Sequence, residues 1–201
     1  MLCFFFLANV IFSQKNDIIK YGNLLDFKVP EKYELRTNIF YNDVKSGFQK
    51  KLDIDSSEAK YILQPIGMND MEKKTSTYSR ILIDVEYGDF DLNPNIINYS
   101  RSDLNIIDED VKNYLDYMKS EIPAISILEI TPIQVKKINY KNFLVYTYTR
   151  KMGDNPNVKV VTYTCFNKSY LIRITISYRI NEQNYWQSSI QYFLDNINIK
   201  N

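Results

Sequence analysis

The sequence predicts an α+β protein, a central antiparallel sheet of about six strands with helices on its flanks. Three features carry that expectation. From Ile125 onward, β-rich runs alternate with short turns at Asn139–Asn142, Gly153–Pro156 and Asn167–Ser169, and connections that short join antiparallel neighbours. Two stretches repeat apolar residues at helical spacing, one ending at Pro123 and one closing the chain. Finally, 17 Tyr and 11 Phe against only 5 Gly and 6 Pro favour well-formed strands over linkers.

The elements follow in order. Leu2–Phe12 is an apolar run, too short for the ~20 residues of a membrane-spanning helix but of the length of a signal-peptide core, with small Ser13 before a plausible cleavage point. No Lys or Arg precedes it, which a start codon placed too far downstream explains; a buried N-terminal strand is the other reading. The expectation is a signal peptide at residues 1–13, a single α+β domain at 14–201, and export to the periplasm or extracellular space. The mature chain then holds no transmembrane segment. Losing residues 1–13 removes Cys3 and leaves Cys165 with no disulfide partner, so stability rests on the core. Cys3 lies near the start of the apolar run, whereas a lipoprotein cysteine would follow it.

Leu24–Pro30 alternates and stops at proline, a short strand. Residues from Tyr33 to about Lys60 give mixed signals: Phe48 and Leu52 are helically spaced, but Gly47 and the Asp53–Ser57 cluster interrupt them. Tyr61–Pro65 and Arg80–Tyr87 read as strands, and Gly88 ends the second. After a polar connection from Asp89 to Asn105, Asp108 offers a helix N-cap, with Glu109 and Asp110 suited to the positive end of the helix dipole. Val111, Leu115, Met118 and Ile122 then form the apolar stripe. Ile127–Ile138, Phe143–Arg150, Val158–Phe166 and Tyr170–Tyr178 read as an antiparallel meander. In the closing helix Asn181 is a candidate cap and Trp186, Ile190, Phe193, Leu194 and Ile197 form one stripe. Its expected partner is the strand face carrying Ile172, Ile174 and Ile176.

The chemistry available is narrow. A net charge of +1 without a Lys/Arg run argues against nucleic acid as partner. The chain has no histidine, which removes the commonest general base and imidazole ligand. Asp89, Asp91 and Asn93 alternate oxygen ligands as a calcium loop does, yet Pro94 and Ser100 stand where an EF-hand needs Gly and Glu; a solvated loop is the plain alternative. Arg173, Thr175, Ser177 and Arg179 share one strand face and are the candidate ligand-binding row, with arginines and hydroxyls suited to a carboxylate or phosphate. Depending on register, Thr162 and Thr164 or else Tyr163 and Cys165 lie beside them. The same row also fits an ordinary solvent-facing sheet face. Asp84 and Glu86 share a strand face and make a carboxylate pair, or simply a soluble edge. Cys165 lacks a histidine to activate it. No catalytic residue is assigned and no cofactor motif occurs.

The strand Leu171–Arg179, followed by a helix carrying Glu182, Trp186 and Phe193–Ile197, resembles the PsbP-like superfamily, as does Leu25–Pro30 as an opening strand. The resemblance covers the last third and that strand. It implies an α/β/α sandwich and an accessory or binding role, and it carries no metal or chloride residue onto this chain. The resulting expectation is an exported, non-enzymatic binding or accessory protein of the cell envelope, with a protein or small ligand as partner. The alternative is an enzyme using carboxylate or tyrosine chemistry.

Overall fold

The computed structural model describes residues 18–36, 60–70, 76–89 and 99–200. The signal-peptide expectation at 1–13, together with Phe48 and Leu52, lies outside them. Strands β1 (Ile18–Tyr21), β2 (Leu25–Lys28), β3 (Tyr33–Leu35), β4 (Tyr61–Pro65) and β5 (Ser79–Tyr87) precede helix α1 (Arg101–Glu121). Then come β6 (Ile125–Ile138), β7 (Lys141–Met152), β8 (Val158–Phe166) and β9 (Tyr170–Arg179), a short 3-10 turn (Ile180–Glu182), helix α2 (Gln183–Asn196) and β10 (Asn198–Ile199).

Among the described residues the main sheet has seven strands in the order β3-β4-β5-β9-β8-β7-β6, each neighbouring pair antiparallel. The segment containing α1 carries the chain from β5 in the middle to β6 at the edge, and the meander then returns until β9 lies against β5. The strand beyond the expected six is β3, short and inside the stretch of mixed signals. A second sheet, β1-β2-β10, ties the chain's C-terminal end to its opening strand, with Ile199 opposite Leu25.

Side chains alternate between the faces of a strand, so register decides what each helix covers. Ile172, Ile174 and Ile176 share one face with Ile81 and Ile83 of β5 and Val161 and Tyr163 of β8. This face and the stripe of α2 form one core containing Trp186, Phe193, Leu194 and Ile197. Phe27 of β2 completes it, edge-on to Phe193 at 5.9 Å. On the opposite face, Leu115 and Met118 of α1 pack with Ile125, Tyr148 and Val160. Helices thus lie on both faces of the sheet.

Both helix starts differ from the sequence expectation. Helix α1 begins at Arg101, not at Asp108, because Ser100 and Asp103 form a capping box: Asp103 N–H donates to Ser100 Oγ at 3.2 Å and Ser100 N–H to Asp103 Oδ2 at 2.9 Å. The Ser100 hydroxyl, which donates to Asp103 Oδ2 at 2.7 Å, and then the Ser100 N–H hold the Asp103 carboxyl below its usual range. Asp108 sits inside the helix and accepts the Ile133 N–H at 2.6 Å, where a bulge breaks the β6–β7 ladder between Thr131 and Gln134. Helix α2 is entered through the 3-10 turn and is not capped by the Asn181 side chain. Glu182 gathers the local donors instead: Tyr78 N–H at 2.9 Å, Trp186 Nε1–H at 3.0 Å and the Arg179 guanidinium at 3.1 Å. Burial alone would raise the Glu182 pKa, but these donors outweigh it and hold it low.

Candidate functional site

The polar sheet face is built across β5, β9 and β8. Arg173 lies between Asp84 and Thr164, Thr175 between Leu82 and Thr162, and Ser177 between Arg80 and Val160. Register therefore resolves the two open arrangements: Thr162 and Thr164 flank the row, while Tyr163 and Cys165 point into the core on the other side.

The four residues of the candidate row have unlike surroundings. Arg173 is partly exposed and reaches Glu86 at 3.9 Å, a loose ion pair. Thr175 is half-buried at its side. Ser177 is buried and its Oγ lies 3.2 Å from the Tyr78 hydroxyl. Arg179 turns to the sheet–helix junction, bonding Glu182 and the Ser76 carbonyl. Asp84 is 8 % exposed, and burial pushes its carboxyl up to about 6, against the pull of Arg173 and Lys60 and with a further push from Glu86. Among the described residues its Oδ1 is buried with no hydrogen-bond partner, and so is Arg80 Nε on the same face. Buried polar atoms are nearly always paired, so two orphans of opposite character mark this face out.

Three contributors escaped sequence reasoning. Tyr78, Arg80 and Arg150 come together from β5, the residue before it and β7. Burial would raise the Tyr78 phenol, but the charges of Arg150 and Arg80 prevail and hold it below its ordinary value. The Arg80 guanidinium sits 5.6 Å from the Tyr78 ring centre. No local motif announces such a cluster, because it depends on cross-strand register.

The α2 side of the sheet carries a half-open cleft of about 190 Å³. Val161 and Ile176 form its floor, Tyr163 and Tyr178 lie at its ends, and Gln183, Gln187 and Gln191 line the helix wall. Those glutamines stand one helical turn apart, ~6 Å. Burial raises both tyrosine pKa values, and among the described residues no acid, lysine or arginine lines the cleft. Cys165 is buried and pushed up to about 11 by that burial, with Lys141 pulling slightly the other way, so its thiolate is scarce.

Asp89 is exposed just after β5; Asp91 and Asn93 fall outside the described residues, so the calcium-type trio is not placed. Among the described residues no three His, Cys, Asp or Glu side chains gather as a metal site. Nor is any helix among them long and apolar enough to cross a membrane.

Solved structures share this architecture. Cyanobacterial PsbP (CyanoP) from Synechocystis sp. PCC 6803 superposes with a TM-score of 0.51 at 9 % identity, over 96 % of this chain and 98 % of that one. LpqN, involved in cell envelope biogenesis of Mycobacterium tuberculosis, superposes with a TM-score of 0.51 at 10 % identity, over 92 % of this chain and 90 % of its own. No protein-family model and no curated protein sequence matches the chain. At these identities the likeness is one of fold, and the chain has the PsbP-like α+β architecture.

Proposed function

We propose, from that architecture, that the chain is an exported, non-enzymatic accessory or binding protein of the cell envelope. The observation that carries the reading is a separation. Asp84, Glu86 and Arg173 lie on one face of the sheet, whereas Tyr163 and the open cleft lie on the other. A catalytic site needs its acid, base and binding pocket within hydrogen-bond reach of one substrate, and a sheet stands between these. The LpqN likeness adds an envelope protein of the same fold.

The ligand reading centres on Arg173. Its guanidinium is held loosely by Glu86 and neighbours Thr164 and Thr175, so an incoming carboxylate or phosphate gains a bidentate partner by displacing Glu86. Thermal-shift titration of the mature protein with a panel of carboxylates and phosphates tests it. A stabilising anion should be lost in Arg173→Ala and should bind more tightly to Glu86→Gln; an unaltered response in both variants sinks this assignment. Export is tested separately by fractionating cells that express the tagged full-length chain.

A second reading is an enzyme built on Asp84, favoured by a buried carboxyl near neutrality beside Arg173 and Glu86. Turnover in a hydrolase screen that vanishes in Asp84→Asn would replace the accessory reading with this one.

A further inference from the structure

Strand β6 closes one edge of the main sheet, and among the described residues it pairs only with β7. Its 14 residues are mostly solvent-facing, with Leu128 53 %, Ile130 37 % and Val135 40 % exposed. A long edge with apolar side chains is a template for another strand.

The pattern along β6 is complementary to itself. Glu129 lies opposite Thr149 and Lys136 opposite Phe143, while Ile130 lies opposite Tyr148 and Val135 opposite Leu144. Alternation along β7 therefore puts Glu129 and Lys136 on one face of the sheet, and Ile130 and Val135 on the other. In a regular strand each of these pairs, being an odd number of positions apart, would be split between faces. The bulge between Thr131 and Gln134 shifts the alternation by one and brings each pair onto a common face.

We propose that β6 is the contact surface between two copies of this chain, joined antiparallel about a two-fold axis passing between Pro132 and Ile133. In that register Glu129 faces Lys136 of the second copy, and Ile130 faces its Val135; symmetry repeats both contacts. Opposite charges and apolar side chains placed directly across antiparallel strands are favourable, and like charges there are not. The residues at the axis leave no backbone N–H that the partner would have to satisfy. Pro132 has no N–H to leave unpaired, and the Ile133 N–H is already bound to Asp108. The Lys pair at Lys136–Lys137, which on an isolated edge would repel other strands, selects one with an acid seven positions earlier, its own sequence.

Charge reversal tests the register directly. By sedimentation velocity across a concentration series, the mature wild-type protein should dimerise, and less so as salt is raised. Glu129→Lys and Lys136→Glu should each weaken self-association by roughly tenfold or more, since each turns two attractive contacts repulsive. An equimolar mixture of the two variants restores both contacts in the heterodimer, so it should associate as the wild type does, and the double variant should do so alone. Circular dichroism checks that the exposed substitutions leave the fold intact. A wild type that stays monomeric at its highest soluble concentration, single variants that dimerise unchanged, or a mixture that fails to recover association would each overturn the proposal.

Discussion

At 1 % exposure, Trp186 fills the space between α2 and the β3 end of the sheet. Its ring lies 5.1 Å from Tyr33 and its indole N–H donates to Glu182. Trp186→Ala empties that space and takes a donor from a carboxylate that also holds Tyr78 N–H, so a loss of about 3–5 kcal/mol is expected in urea unfolding. That this side chain is core was legible from the helical stripe alone; that Tyr33 is what it touches was not, because Tyr33 lies in the stretch of mixed signals. Asp84 carries a pH signature. Its folded pKa of about 6 exceeds its unfolded value of 3.8, so protonation favours the fold. The stability linked to that proton is fully present below pH 3.8 and is lost as pH rises through about 6. Relative to Asp84→Asn, the wild type should weaken across that window by up to ~3 kcal/mol. Melting temperatures of both from pH 4 to 8 read the gap, and a constant difference would mean that Asp84 is solvated.

Among the elements, α1 shows how a local signal is present and still misread. Ser100 and Asp103 spell a capping box, yet the acidic run Asp108–Asp110 looks more like a first turn. The position of Asp108 has a use that sequence does not reveal: it serves the bulge in β6 from across the helix–sheet contact. Asp108→Ala should leave the Ile133 N–H without its acceptor, costing about 1–3 kcal/mol, with faster exchange of the Ile133 amide as the accompanying sign. Asn139 plays a similar part at the β6–β7 turn. Both Asn139 and Tyr140 have positive φ, 46° and 68°, as a two-residue hairpin turn requires. The Asn139 side-chain amide then donates to the Leu194 and Ile197 carbonyls at 2.9 and 2.8 Å, satisfying the C-terminal end of α2. The turn itself is visible in the sequence; its hold on a helix more than fifty residues away is not.

For the whole molecule, β9 is the hub, bonded on one side to β5 and on the other to β8 along nearly its full length and buried under α2. Its amides should be the slowest to exchange with solvent, opening only in global unfolding, while β1 and β3 at the margins exchange first. Fast exchange throughout β9 would contradict this hierarchy. Protection of β6 amides that grows with protein concentration would accompany the two-fold contact proposed above. The fold class, most strands, the closing helix and the α2 face of β9 follow from the sequence alone, because alternation and helical periodicity are properties of consecutive residues. Which residues stand beside Arg173, the gathering of Tyr78, Arg80 and Arg150, and the common face of Glu129 and Lys136 were decided only by tertiary structure. Register between strands depends on where bulges fall and on how distant segments pack, and a bulge of a single residue reverses every side chain that follows it.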